Sequence, residues 1–140
     1  MIVLDTSILS LAFRRRRTSD DDPALVVELR KIIADDQPLA VPGIVLQELL
    51  SGVRTREQFR KLQLSMAGFP ILLAGETHHV RAAQMSNACR RAGVSCSTVD
   101  ALIAALTVEV DGLLFTTDAD SQRIALHCGL RLFTMPDKIP

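Results

Sequence analysis

Four acidic side chains, Asp5, Glu48, Asp100 and Asp118, each stand where an apolar segment meets the start of a helix-like one. Ile2-Val3-Leu4 runs directly into Asp5, Leu113-Leu114-Phe115 stops shortly before Asp118, and Asp100 opens the apolar run 101–110. Carboxylates gathered at the carboxyl ends of parallel strands make a site for hard cations. Mg²⁺ and Mn²⁺ prefer oxygen ligands, and Mg²⁺ keeps several waters while taking one or two carboxylates and substrate phosphate oxygens. The chemistry such a cluster supports is metal-assisted hydrolysis of a phosphodiester.

Singly, each acid has a plainer reading. Asp5 and Asp118 can cap the helices that follow them, Ser97-Thr98-Val99-Asp100 matches a capping box, and Glu48 can be a solvated helix residue. Jointly they point the other way, because carboxylates that repel one another need a counter-charge to converge.

The elements that must position them are short. Apolar runs at 2–4, 39–41, 71–73, 113–115 and 130–133 read as strands. Helical spacing begins after Asp5, restarts at Pro23, and then covers 44–52, 55–67, 76–91, 97–110 and 118–128. In the third of these helices Glu48 lies at the edge of the apolar stripe, and 97–110 is apolar nearly all round, which places it centrally. Strands separated by helices pair in parallel through right-handed crossovers, with helices on both faces. Ligands then bind outside the carboxyl ends of the strands.

With 140 residues the chain fits one domain, 1–140. It is 48% hydrophobic, with no Trp or Tyr and only five Phe, so its core is aliphatic, as in buried parallel sheets. Sixteen basic and sixteen acidic residues cancel, so any nucleic acid must be drawn by a local patch. Neither an export signal nor a run long enough to span a membrane is legible, and a soluble cytoplasmic protein is expected. Cys89, Cys96 and Cys128 have neither disulfide arithmetic nor zinc spacing and are expected as reduced thiols.

Four segments in this order, Val3-Leu4-Asp5-Thr6-Ser7, Pro42-Gly43-Ile44-Val45-Leu46-Gln47-Glu48-Leu49, Asp100-Ala101-Leu102-Ile103-Ala104-Ala105 and Leu114-Phe115-Thr116-Thr117-Asp118-Ala119-Asp120, carry a family resemblance over essentially the whole length. The chain resembles PIN-domain ribonucleases, and among them the short VapC-type toxins of bacterial toxin-antitoxin modules. The resemblance implies an α/β three-layer sandwich with a parallel five-stranded sheet flanked by helices. It places the family's acidic quartet on Asp5, Glu48, Asp100 and Asp118, as catalytic residues and as ligands of one or two Mg²⁺ or Mn²⁺ ions. It further implies in-line attack on RNA by a metal-polarised water, a cognate antitoxin that occludes the site, and a homodimer.

Thr6 and Asp120 are expected to orient ligand carboxylates or water, as Ser7 and Thr117 can also do. Arg14, Arg15, Arg16 and Arg17 form the densest positive run and can grip RNA phosphates, unless Asp20, Asp21 and Asp22 neutralise a solvated loop. His78, His79 and His127 sit in helical stretches away from the acids and are not catalytic candidates. Two other readings stand beside this one. A PIN-like fold can serve as a binding scaffold without catalysis. A receiver-type phosphoacceptor would need an adjacent acidic pair after the first strand and a late Lys, where the chain has Asp5-Thr6 and only the tail residue Lys138.

Overall fold

A computed structural model describes residues 1–14 and 23–136. Arg15, Arg16, Arg17, Asp20, Asp21, Asp22 and Lys138 lie outside the described residues.

Strand β1 (Ile2–Leu4) is buried along its length because neighbours flank it on both edges. On one side β2 (Leu39–Pro42) pairs in parallel, Ile2 opposite Leu39 and Val3 opposite Ala40. On the other β4 (Leu113–Phe115) pairs in parallel, with Ile2, Val3 and Leu4 opposite Leu113, Leu114 and Phe115. The two-residue β3 (Ile71–Leu72) adds to β2, giving a four-stranded sheet in the order β3-β2-β1-β4. Strands this short and this apolar are what a sheet covered by helices requires.

The expected fifth strand at 130–133 is a correction. It contributes one parallel bridge, Leu114 to Leu132, in which the Leu114 N–H donates to the Arg131 carbonyl at 3.0 Å and the Phe133 N–H to the Leu114 carbonyl at 2.9 Å. Pro136 has no N–H with which to extend the ladder. Phe133 instead spends its ring on Phe115, stacked at 4.7 Å.

Helices fill every crossover. Between β1 and β2 come α1 (Thr6–Leu9), a π-helical turn (Ser10–Arg14) and α2 (Pro23–Ala34). Sequence spacing predicts a plain α-helical continuation after Leu9; the wider turn, an arrangement frequent at functional sites, instead carries Arg14 to the end of a later helix. Between β2 and β3 lie α3 (Gly43–Leu50) and α4 (Arg56–Met66), and between β3 and β4 lie α5 (Glu76–Arg91) and α6 (Thr98–Glu109). The last helix, α7 (Asp120–Cys128), follows β4 and ends at Gly129, whose φ of 73° is the left-handed cap that glycine accepts readily.

Helix α6 is the centre, with Ala101, Ile103, Ala104, Ala105, Leu106 and Thr107 all buried. Its one buried hydroxyl, on Thr107, donates back to the Ile103 carbonyl at 2.7 Å and so carries no unmet hydrogen bond. Ala82, Met85 and Cys89, at helical spacing on α5, face the same core. Each fully buried Leu or Ile contributes about 1.5–3 kcal/mol. No described helix is long and apolar enough to cross a membrane.

Candidate active site

Because Leu4 lies opposite Phe115, the residues that follow them, Asp5 and Thr116, emerge side by side from the carboxyl end of the sheet. The Asp5 N–H still bonds the Phe115 carbonyl at 3.0 Å, so the main chain fixes where its carboxylate stands. Asp5 occupies the N-cap position of α1 with extended backbone, yet its side chain caps nothing. Its Oδ2 instead accepts two hydroxyls, Thr116 Oγ1 at 2.7 Å and Ser7 Oγ at 3.0 Å. Among the described residues no donor reaches Oδ1.

Each of those hydroxyls also accepts a main-chain N–H from the loop beyond β4. The Asp118 N–H donates to Thr116 and the Thr117 N–H to Ser7, both at 3.0 Å. A hydroxyl has one proton and two lone pairs, so giving both protons to Asp5 leaves room to receive both amides. Asp118 is thereby tied to Asp5 through Thr116. Its exposed carboxylate accepts from the Asp120 N–H at 3.0 Å, and for this reason α7 starts at Asp120 rather than at 118. Asp120 is itself exposed and pairs with Arg123 at 3.1 Å, one turn on in the same helix.

Asp100 arrives from the opposite crossover, in the first turn of α6, where the Ser97 hydroxyl accepts its N–H at 3.0 Å. A helix N-terminus ordinarily favours an ionised carboxylate. Here burial overrides it: desolvation pushes the Asp100 carboxyl up, hydrogen bonding to Ser97 pulls it partly back, and the charges of Asp118 and Asp5 raise it further. Asp5, Asp100 and Asp118 therefore share one field, and Asp5 and Asp100 line a common small cleft with Ser121 and Ile124.

Glu48 stands apart from that electrostatic triad but is joined to it through the chain. Half-buried on α3, its Oε1 accepts the Thr6 hydroxyl at 2.9 Å, and Thr6 is the residue after Asp5. The Glu48 carbonyl meets Arg14 Nη1 at 3.5 Å. Of the histidines, His78 accepts the Gly75 N–H at the start of α5, and His79 and His127 are exposed. A larger apolar concavity, lined by Met1, Leu39 and Pro70, opens at the amino ends of the strands, away from the acids.

The PIN-domain family model matches residues 2–126. The chain belongs to the PIN-domain family. Its fold is similar to that of FitAcB from Neisseria gonorrhoeae, with a TM-score of 0.75 at 20% identity over 96% of this chain and 97% of that one. VapBC2 from Rickettsia felis, solved bound to a promoter DNA fragment, gives 0.74 at 22% over 95% and 98%. A toxin-antitoxin complex from Klebsiella pneumoniae gives 0.64 at 18% over 84% and 87%. PIN domains are in general nucleases that use divalent metal ions.

The donor set of this PIN domain fits such an ion in kind, being carboxylate and hydroxyl oxygen throughout, with the Asp100 carboxyl pushed up by burial and then by its acidic neighbours, a charge a cation would offset. Among the described residues, however, no three His, Cys, Asp or Glu side chains stand close enough to hold an ion outright. A cation that takes one or two carboxylates and completes its shell with water and phosphate suits that spacing. Sequence reasoning assigned no role to Thr116, the residue that ties this PIN domain's first and last acids together. The available signal was register: a hydroxyl directly after a strand that pairs with the Asp5 strand must land beside Asp5.

Proposed function

We propose that the chain is a Mg²⁺- or Mn²⁺-dependent endoribonuclease that hydrolyses RNA phosphodiester bonds as the toxin of a two-protein module, with Asp5, Glu48, Asp100 and Asp118 as its catalytic and metal-holding residues. The observation that carries this reading is the shared field of Asp5, Asp100 and Asp118 at the carboxyl rim of a PIN-domain sheet. A divalent cation bound there lowers the pKa of its water and offsets charge building on the phosphate.

The chain's own residues do the positioning. Thr116 and Ser7 hold Oδ2 of Asp5, leaving Oδ1 for a ligand; Thr6 fixes Glu48; the Ser97 cap presents Asp100. Asp120 orients the loop through its amide on Asp118, while its carboxylate is engaged with Arg123. No imidazole is needed for this chemistry.

Toxin-antitoxin complexes among its structural neighbours support control of this cytoplasmic nuclease by a cognate antitoxin. Phe59 and Leu64 of α4, 40% and 65% exposed, offer apolar surface to that partner or to a second copy in a homodimer. The alternative, a catalytically silent PIN-like scaffold, draws on the lack of a ready three-ligand cluster among the described residues. Incubation of purified protein with RNA decides between them. Cleavage that needs Mg²⁺ or Mn²⁺, stops in chelator and is lost in Asp5→Asn and Asp118→Asn supports the enzyme; cleavage unchanged in both variants refutes the site, and none by the wild type leaves the scaffold.

A further inference from the structure

We infer that a basic cleft beside the acidic rim is a subsite for a phosphate of the RNA backbone, adjacent along the strand to the bond that is cut; this rests on the ribonuclease reading above. The cleft has a volume of about 360 Å³, and its wall includes Arg14, Gly52, Arg54, Gln58 and Lys61. Three cations thus come from three separate stretches of chain: the π-helical turn, the loop after α3, and α4. In a protein whose formal charges cancel, this is a local departure from neutrality of the kind a polyanion finds.

Among the described residues no carboxylate forms an ion pair with Arg14, Arg54 or Lys61. The acids on the neighbouring helices are Glu57, exposed in the first turn of α4, and Glu48, whose carboxylate is engaged by Thr6. Among the described residues the three cations thus keep their charge unpaired for a ligand, Arg14 Nη1 alone being engaged, on a main-chain carbonyl. Gln58 adds a neutral donor to the same wall, which suits phosphate oxygens that accept several hydrogen bonds.

Arg14 is held in place before any ligand arrives. Nη1 meets the Glu48 carbonyl at 3.5 Å, near the end of α3 where a helix favours positive charge. Nη2 lies over Gly52, where a Cβ would come within 3.1 Å of it. Gly52 has a φ of 82°, so glycine serves both the left-handed turn and the clearance for the guanidinium. A planar fork with five donors, one of them already anchored, loses less freedom on binding than a free side chain.

Continuity with the rim selects RNA over other anions. Arg14 rests on the main chain of the residue whose carboxylate belongs to the acidic quartet, so rim and cleft are joined through Glu48. An RNA strand whose scissile phosphate lies at the rim can set a neighbouring phosphate in the cleft, where cations offset the repulsion it meets from the acids. An acidic protein segment would have to approach the same carboxylates without a metal-bound phosphate to hold it.

The test uses the full chain, with exposed side chains altered so that the fold is kept. Anisotropy of a fluorescent single-stranded RNA in EDTA, titrated across salt concentrations, is compared for wild type, R54Q/K61Q, and R90Q/R91Q as a charge-matched control at the end of α5. The expected result is weaker binding by R54Q/K61Q and a slope of log K against log salt flatter by about 1 to 1.5, since each single-strand phosphate contact contributes about 0.7, with the control unchanged. In Mg²⁺ the same variant should raise KM for cleavage more than it lowers kcat. An unchanged slope with metal-dependent cleavage intact overturns the cleft alone, as does an equal loss in the control. Poly-glutamate binding that falls with R54Q/K61Q while RNA binding does not assigns the cleft to an acidic protein segment and overturns the proposal. Absence of RNA binding by the wild type removes the subsite and the ribonuclease reading together.

Discussion

The Thr116 hydroxyl lies 2.7 Å from Asp5 Oδ2, joining positions 111 residues apart in the chain. The bond is a product of strand register, since β1 and β4 run in parallel with Leu4 opposite Phe115. It also links Asp118 to Asp5, because the same hydroxyl accepts the Asp118 amide.

Thr116→Val keeps the shape of the side chain and removes its hydroxyl. Loss of such an orienting group costs about 10–100-fold in metal affinity or activity. Cleavage by Thr116→Val should fall by about that factor, with Thr116→Ser close to wild type. Equal activity in the Val variant would show that Asp5 needs no holding.

Asp100→Asn should abolish cleavage and, without metal, raise the melting temperature at neutral pH. Burial and the charges of Asp118 and Asp5 raise the folded-state pKa of Asp100, so the fold binds its proton more tightly than the unfolded chain does. The favourable contribution of this group is fully present below the ordinary Asp value of about 3.9 and is lost as pH rises through the higher folded value. Melts of both proteins in EDTA should therefore coincide in acid and separate towards pH 7, the variant being the more stable, and added Mg²⁺ should close the gap. A variant less stable than wild type at pH 7 would mean that the carboxylate is stabilised in the metal-free fold.

Gly112→Ala should destabilise the protein by about 1–3 kcal/mol, the usual range for overpacking. A Cβ there would come within 3.1 Å of the Met1 carbonyl and of Val3. That carbonyl cannot retreat, because it accepts the Leu113 N–H at 2.9 Å where β4 joins β1. Urea unfolding with an unchanged midpoint would contradict this.

The Cys96 thiol is pushed up to about 12, chiefly by burial and then by its neighbour Cys89. At pH 8 little of it is then the thiolate that alkylating agents attack. Mass spectrometry after brief iodoacetamide treatment should find Cys96 unmodified in the native protein and modified in urea. Rapid native labelling would show that the thiol is not shielded as described.

The placement of Asp5 at a strand end, the parallel order and the central helix were legible because each rests on a local pattern: an apolar run ended by an acid, or apolar residues at helical spacing. Helices α4 and α5 end within a residue or so of where their periodicity stops. Ser97 does cap α6, as its spacing to Asp100 indicated. What local pattern misjudged was pairing. The run at 130–133 has strand composition, but Gly129 before it and Pro136 after it leave only one bridge. The π-helical turn has no distinct spacing over so few residues. Thr116 was invisible for the opposite reason, since its role depends on a neighbour 111 positions away.

Strand order has a consequence in time as well as in space. In the order β3-β2-β1-β4 the earliest strand is central, and its pairing with β4 waits for Phe115. A chain emerging from the ribosome holds Asp5 and Glu48 early, but Asp100 follows only after α4, β3 and α5, and Asp118 only after α6 and β4 as well. The long sequence separation that slows such pairing also orders it: the acids meet only once the chain beyond Phe115 has been made, and a nascent chain cut short of it carries an incomplete set.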